Sequence, residues 1–244
     1  MILRIGHFEF APAWFPTLVT ALLLVLLLRL GFWQLDRSAS KTALTTQWKQ
    51  YGHMPPERLD TVPHSYVDTQ RYMPVTAVGA FDPEHQFLLD NRTLNGVAGY
   101  HVITPFRLSG TPETVLVNRG WIAVGPDRTK LPDIRIHSQV YTLQGRVAPI
   151  ISDSLLLGDS GYGQNNWPKV VQLLQPSRIA EILKRPVRSQ LVQSTDDAKD
   201  GLIRDWPVHY GITSQRHLGY AVQWFTLALA LVTIYVVVNT RRRV

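Results

Sequence analysis

Two apolar stretches decide the architecture of this chain. Residues 14–31 read WFPTLVTALLLVLLLRLG, and residues 218–238 read LGYAVQWFTLALALVTIYVVV. An α-helix needs about 20 apolar residues to cross the roughly 30 Å hydrocarbon core of a bilayer. The second stretch meets this need without a charged residue, and the first meets it because the long side chain of Arg29 can reach the interface. The sequence therefore predicts two transmembrane helices, one in each stretch.

The first stretch has an alternative interpretation as a cleaved signal peptide that begins near Arg4. Its apolar run is long, however, and residues 31–34 (GFWQ) lack the small-x-small pattern of a cleavage site. Aromatic residues of the kind found at membrane interfaces also lie at both of its ends. We therefore interpret residues 14–31 as an uncleaved anchor.

The basic C-terminus predicts the orientation of the chain. Three arginines, residues 241–243, follow the second stretch directly, and Lys and Arg accumulate on the cytoplasmic side of a span. With two spans, the N-terminus at residues 1–13 and the basic tail at residues 239–244 both lie in the cytoplasm. We expect a bacterial inner (plasma) membrane protein whose residues 32–217 form a periplasmic domain. In a mitochondrion the same domain would face the intermembrane space.

The composition excludes several classes of function. The chain of 244 residues has no cysteine, so it has no disulfide, thiolate zinc site, iron–sulfur cluster or cysteine nucleophile. Its net charge is +7, from 25 Lys+Arg and 18 Asp+Glu. This excess is divided between the chain termini and the long central loop, and we therefore expect no nucleic-acid partner.

The central loop predicts an α+β domain. Residues 36–50 contain no Gly or Pro and predict a helix that continues the first span, and residues 53–63 form a Pro-rich connector. We expect a turn at residues 91–96, a bulge at 118–120, a loop at 153–168 and a solvated turn at 196–200. Segments rich in β-branched and aromatic residues predict strands at 72–81, 86–89, 99–108, 114–124, 140–147 and 187–193, and residues 176–183 predict a helix.

The predicted fold class is therefore a membrane protein in which two transmembrane α-helices flank an α+β, mainly antiparallel β, extramembrane domain. Several short strands with regular turns favour an antiparallel sheet or small barrel over a parallel sheet. The strand order cannot be derived from the sequence.

No catalytic motif is present in the sequence. It has no Gly-rich nucleotide loop, no nucleophile elbow and no His-Glu-x-x-His pattern, so we expect the protein not to be an enzyme. Asp196 and Asp197 form an acidic pair that we interpret as part of an exposed turn. His209 and His217 lie eight residues apart, which is too far for one turn of a helix, so the spacing gives only weak support to a two-histidine zinc site.

His217 differs from the other histidines because it opens the second apolar stretch. On a helix, His217, Tyr220, Ala221 and Trp224 share one face, and Gln223 places another polar group in the span. A neutral imidazole is a common ligand of haem iron, and aromatic side chains suit a flat macrocycle. The alternative is that His217 is an interfacial residue and that Tyr220 and Trp224 belong to the belt of aromatic residues at the membrane interface. Residues 31–37 with Lys41 can equally be an aromatic and basic membrane anchor.

The chain resembles the Surfeit locus protein 1 family, the cytochrome c oxidase assembly factors. The resemblance is carried by an ordered set of segments, while residues 152–201 match nothing in it. These segments are residues 31–37 (GFWQLDR) with Lys41, residues 91–96, residues 99–106, residues 117–121 (VNRGW) and His217 with residues 220–225.

The resemblance implies a protein that assists the maturation of haem–copper oxidases. Some bacterial members are thought to bind haem a and help deliver it to the large subunit of the oxidase, with a histidine at the second span as a haem contact. The matching position is His217, and Tyr220 and Trp224 complete the candidate cofactor site. The expected partners are cytochrome c oxidase subunits, above all the haem-bearing large subunit, with haem a synthase and the lipid bilayer. Two alternatives are an oxidase-subunit scaffold or chaperone that binds no haem, and a membrane enzyme, which the absence of a recognisable motif disfavours.

Overall fold

The computed structural model describes residues 3–5, 7–64, 68–137, 139–150, 160–196, 200–206, 208 and 212–242. The chain divides into a helical unit, residues 1–46 and 208–244, and a sheet domain, residues 47–207. The structure describes only part of the predicted loop at 153–168 and only Asp196 of the acidic pair Asp196–Asp197. His209 and the last two residues of the basic tail lie outside the described residues.

Three helices and eleven strands make up the described chain, in addition to two short 3₁₀ turns at Leu59–Thr61 and Asp68–Gln70. The helices are α1 (Trp14–Tyr51), α2 (Pro176–Leu183) and α3 (Ser214–Asn239). The strands are β1 (Leu3–Ile5), β2 (Phe8–Phe10), β3 (Glu57–Arg58), β4 (Pro74–Phe81), β5 (Phe87–Leu94), β6 (Val97–Leu108), β7 (Thr114–Ala123), β8 (Val140–Pro149), β9 (Lys169–Val171), β10 (Val187–Ser194) and β11 (Thr240–Arg242).

α1 continues without a break from the apolar stretch to Tyr51, as predicted. Pro16 is tolerated because it lies in the first turn, where its missing N–H has no partner to lose, and no further Pro follows before the helix ends at Gly52. α3 is capped at its N-terminus by Thr213, whose hydroxyl accepts a hydrogen bond from the backbone N–H of Arg216 at 3.4 Å.

Both long helices keep their apolar side chains on the outside. Both helices are long and apolar enough to cross a membrane. Within the most apolar 18-residue segment of each helix, only 6% of the segment in α1 and 11% of the segment in α3 is buried. A core helix of a water-soluble protein would bury this surface. The exposed apolar surface, together with the sheet-rich domain between the two helices, confirms the predicted fold class.

α1 and α3 run antiparallel within the helical unit. Their contacts advance along α1 as they retreat along α3, and two of them are hydrogen bonds between side chains. The contacting pairs are Ser38 with Ser214, Gln34 with His217, Gly31 with Phe225, and Thr17 with Tyr235.

A small antiparallel sheet joins the two ends of the chain, and it was not predicted. β2 lies between β1 and β11, and Arg241 pairs with Glu9 across the β2–β11 ladder. Strands of three residues carry too little periodicity to be recognised in a sequence. The pairing holds both chain ends at the same end of the helical unit.

The sheet domain is built around a closed ring of five strands. The order of the large sheet is β3-β4-β8-β10-β7-β6-β5-β9, and the additional pairing of β4 with β6 closes the central five strands into a small barrel. Gly79 lies at this closure, where an added Cβ would collide with the carbonyl oxygen of Arg107. All pairings in the ring are antiparallel except β7 with β10.

Both faces of the barrel wall are covered, which explains the continuous apolar run of residues 115–117 in β7. Val115 and Val117 point into the core inside the ring, and Leu116 points to a second core that α2 covers through Ile179. A strand buried on both faces reads as a continuous apolar run rather than as an alternation.

The predicted strands and the helix at residues 176–183 are confirmed, with one main difference, which lies in β5. β5 continues to Leu94 through an irregularity at Asn91, so the turn is confined to Asn95 and Gly96. Both of these residues have positive φ (49° and 80°), as a two-residue hairpin turn requires. The predicted turn at residues 91–96 was therefore too long.

Arg188 on β10 fixes the Pro-rich connector to the barrel. Its guanidinium contacts the Glu113 carboxylate at 2.9 Å and donates to the backbone carbonyls of Leu59 and Val62 at 2.8 and 3.2 Å. Only 2% of its side chain is exposed. Removal of one partner from a buried, hydrogen-bonded ion pair leaves the other charge uncompensated.

We predict that Arg188→Ala lowers the free energy of unfolding by about 3–5 kcal/mol. The control is Arg135→Ala, because the Arg135–Asp133 pair is exposed and should contribute little. Denaturant unfolding of the detergent-solubilised protein, followed by tryptophan fluorescence, measures both variants. Equal destabilisation by the two substitutions would contradict the structural role of Arg188.

Candidate functional site

His217 lies one turn inside α3 and faces α1. Its Nδ1 atom is 2.6 Å from the Oε1 atom of Gln34, a hydrogen bond between residues 183 positions apart. Both residues are buried, with 8% of His217 and 9% of Gln34 exposed. A polar side chain inside an apolar helix is expensive unless it meets a partner, and here each residue supplies the partner of the other.

The two helices approach closely on the apolar side of this pair. Gly31 lies against Phe225, and a Cβ at Gly31 would be 2.6 Å from the Cε1 atom of that ring. Phe32 packs edge-on against the same ring, with centroids 5.3 Å apart, and Ala221 is buried beside them. Small residues of this kind let helices in lipid approach closely enough to hydrogen-bond.

Polar and basic side chains lie on the opposite side of the pair. The Ser38 hydroxyl donates to the backbone carbonyl of Ser214 at 3.0 Å. The Arg37 guanidinium lies 5.8 Å from the centre of the Trp33 ring. The His217–Gln34 pair therefore lies where the apolar part of the helical unit meets its polar end, which is the arrangement expected at a membrane interface.

The predicted site residues do not all lie together. His217 and Ala221 face α1, Trp224 is half-buried, and Tyr220 is turned outward with 45% of its surface exposed. Gln223, the other polar residue of the span, is also exposed. The structure thus adds Gln34 to the site and places Tyr220 at its outer edge.

Gln34 was missed as a partner of His217, although it was noted as part of the anchor segment. A signal was present in the sequence, since each apolar stretch has a polar residue close to the same interface. The pairing depends on which faces of α1 and α3 meet, and this cannot be read from either helix alone.

Another histidine, the partly buried His101 on β6, is held in the opposite way. Its Nδ1 atom is 3.2 Å from the Nδ2 atom of Asn118, whose Oδ1 atom accepts from the Gly120 N–H. The amide therefore presents its N–H₂ group, and His101 Nδ1 accepts the hydrogen bond. Burial, with a smaller effect of the Arg92 charge, lowers the pKa of His101 to about 4, so its ring is neutral and structural.

The bulge predicted at residues 118–120 is confirmed. The β6–β7 register shifts between Val102 and Ile103, so that Arg119 is the extra residue, and Gly120 has a φ of 148°. This geometry turns the Arg119 side chain into the domain, where it is almost fully buried.

Asp200 is the acidic partner of Arg119, and its assignment to a solvated turn was wrong. Arg119 donates to Asp200 Oδ2 at 3.2 Å and to the Ile134 carbonyl at 2.9 Å, and Arg204 donates to the same carboxylate at 2.7 Å. Burial lowers the pKa of Arg119. Burial would raise the pKa of Asp200, but the hydrogen bond and charge of Arg204, with Arg119, hold it below its usual value. Because four of the five residues between Thr195 and Gly201 are charged, the sequence looked like a surface turn.

Within the described ranges, no group of three or more His, Asp or Glu side chains is arranged to hold a metal ion. His85 and His64 each pair with a single carboxylate, Asp82 and Glu113 respectively. Of the histidines described, His217 combines burial among apolar helices with a ring nitrogen that has no hydrogen-bond partner among the described residues. It therefore stands out as the candidate ligand.

The fold and the site define a membrane-anchored protein with two long apolar helices, a closed β-barrel domain between them and a buried histidine at the start of the second helix. Residues 21–229 match the model of the SURF1 family, and the chain belongs to this family. The resemblance found in the sequence is thereby confirmed.

Several curated relatives cover most of the chain. A SURF1-like protein of Monosiga brevicollis is 27% identical over 85% of this chain and 81% of its own length. A SURF1-like protein of Rickettsia prowazekii is 25% identical over 87% and 85%, and an uncharacterised SURF1-like protein of Mycobacterium bovis is 27% identical over 91% and 82%. Membership of the SURF1 family supports a role in cytochrome oxidase assembly.

The close approach at Gly31 leads to a prediction for the helix pair. Gly31→Leu should push the Phe225 ring away from α1 and weaken the His217–Gln34 hydrogen bond, because the space beside Gly31 is filled. Gly219→Leu is the control, since nothing lies within 4 Å of a Cβ at that position. Because the chain has no cysteine, oxidative cross-linking in a Ser38→Cys/Ser214→Cys background reports the distance between the helices.

We expect Gly31→Leu to reduce the yield of this cross-link several-fold and Gly219→Leu to leave it unchanged. A cross-link that forms equally well in both variants would show that the helices do not depend on the absence of a side chain at Gly31.

Proposed function

We propose that this protein is an assembly factor for haem–copper cytochrome c oxidase that binds haem a at His217 and assists its delivery to the large catalytic subunit. The observation that carries the proposal is a buried histidine at the start of an apolar helix, in a chain of the SURF1 family. Haem a is the cargo in this proposal, and no catalytic reaction is assigned to the protein.

The residues around His217 fit such a cargo. Nδ1 is engaged by Gln34, whereas Nε2 has no hydrogen-bond partner in the part of the chain that the structure describes. A neutral imidazole nitrogen with a free lone pair is a common ligand of haem iron. The exposed aromatic rings of Phe32, Trp33 and Tyr220 supply apolar surface at the same level of the helical unit.

A single histidine ligand also suits a protein that must give up its cargo. Haem a is apolar, so helices that expose apolar surface can shield it while both the haem and the helices stay in the bilayer. One iron ligand contributes less affinity than two, and the large subunit can therefore compete for the haem. Haem a synthase, which would supply the cargo, is a further partner in this proposal.

The location that fits this role is the bacterial inner (plasma) membrane. The small sheet of β1, β2 and β11 supports a topology with both chain ends on one side of the bilayer. Arg241 and Arg242 in β11 favour the cytoplasm for that side. The sheet domain is then periplasmic.

A scaffold or chaperone that binds oxidase subunits without haem is the second candidate function. It is supported by two exposed valines, Val78 on β4 and Val140 on β8, which are diagonal neighbours on one face of the sheet. Exposed apolar side chains that adjoin one another are typical of surfaces that bind a protein partner.

Haem binding tests the proposal directly. Ferric haem a added to the purified protein in lipid nanodiscs should give a saturable absorption change at one haem per chain. His217→Ala should weaken binding by about 10-fold or more, because an iron–ligand bond is lost. His7→Ala is the control, since His7 is exposed and lies near the opposite end of α1.

Equal haem affinity in the wild type and His217→Ala would remove His217 from the proposal. If the wild type binds no haem a but still restores oxidase assembly to a deletion strain, the scaffold function replaces haem delivery.

A further inference from the structure

We propose that Gln34 is the residue that positions His217 for its iron ligand, by fixing the tautomer and the orientation of the imidazole ring. This inference rests on the proposed function, because it assigns the role of Gln34 toward the same haem. Gln34 is therefore a positioning residue, which acts through His217 and does not itself touch the iron.

The direction of the hydrogen bond fixes the tautomer. An amide oxygen can only accept, so Gln34 Oε1 at 2.6 Å requires that Nδ1 of His217 carries the proton. In a neutral imidazole one nitrogen donates and the other accepts. Nε2 therefore presents its lone pair, which is the state needed to bind iron.

Burial of both partners fixes the ring orientation. Gln34 and His217 are each more than nine-tenths buried, and the contact of Gly31 with Phe225 holds the helices together one turn away. Metal-binding histidines generally donate their second N–H to an acceptor that sets the ring plane, and loss of that acceptor lowers metal affinity.

His101 provides a comparison within the same chain. There the partner amide turns its nitrogen toward Nδ1, so that the proton resides on Nε2. His217 and His101 thus have opposite tautomers, and the amide oxygen of Gln34 is what distinguishes the histidine suited to bind iron.

The neutral amide of Gln34 also suits a transient site. A carboxylate acceptor would strengthen the ligand by drawing the Nδ1 proton, and it would place a charge among apolar helices at considerable cost. Glutamine provides the orientation without the charge. We therefore expect it to support modest affinity and ready release.

The first experiment measures the tautomer in the protein without haem. In ¹⁵N-histidine-labelled protein in nanodiscs, the ¹⁵N chemical shifts of His217 should indicate a protonated Nδ1 and an unprotonated Nε2. Gln34→Leu should abolish this pattern, and Gln34→Met, which retains more of the side-chain length, provides a second variant if the first is poorly folded. Gln223→Leu is the matched control, because it removes the exposed glutamine of α3 and should leave the shifts unchanged.

The second experiment measures haem a affinity and spectra in the same variants. Gln34→Leu or Gln34→Met should raise the dissociation constant about 10–100-fold, and Gln34→Glu should alter the EPR g values of the ferric complex toward a stronger imidazole donor. Gln223→Leu should match the wild type in both measurements.

The outcomes separate this inference from the proposed function. If the wild type binds haem a and the Gln34 variants keep its affinity, spectrum and ¹⁵N shifts, the positioning role is overturned while the proposed function stands. If the wild type binds no haem a, the proposed function fails and the role of Gln34 toward iron fails with it, whatever the tautomer.

Discussion

A polar side chain in the apolar part of a membrane helix has to find its hydrogen-bond partner within the protein. The Gln34–His217 hydrogen bond meets this requirement for both long helices at once. It demands a close approach, which the missing side chain of Gly31 and the small side chain of Ala221 permit. Three features of the helical unit accompany this one contact. They are the antiparallel pairing of α1 and α3, the position of both chain ends at the same end of the unit, and the exposed outer surface of both helices.

The sequence predicted those features that local patterns encode. Length and hydropathy defined the two spans, the absence of Gly and Pro extended α1 to Tyr51, and richness in β-branched and aromatic residues marked the strands of the barrel. The bulge at Arg119 was also predicted, because an arginine followed by glycine interrupts an apolar strand.

Features that depend on contacts between distant segments were not predictable. The closure of β4 on β6, the pairing of the two chain ends and the buried partners of Asp200 each join residues far apart in sequence. For the candidate site, His217 was identified from its position, and Gln34 was not recognised because 183 residues separate the two. Single-helix periodicity also placed Tyr220 with His217, although Tyr220 lies at the outer edge of the buried face of α3 and its ring is exposed.

A double-mutant cycle between Gln34 and His217 tests most directly whether this contact holds the helix pair together. The free energy of unfolding in mild detergent would be measured for the wild type, Gln34→Leu, His217→Leu and the double variant, without haem. A hydrogen bond between membrane helices predicts a coupling free energy of about 0.6–1.7 kcal/mol. Additive effects of the two substitutions, with no coupling, would contradict the account.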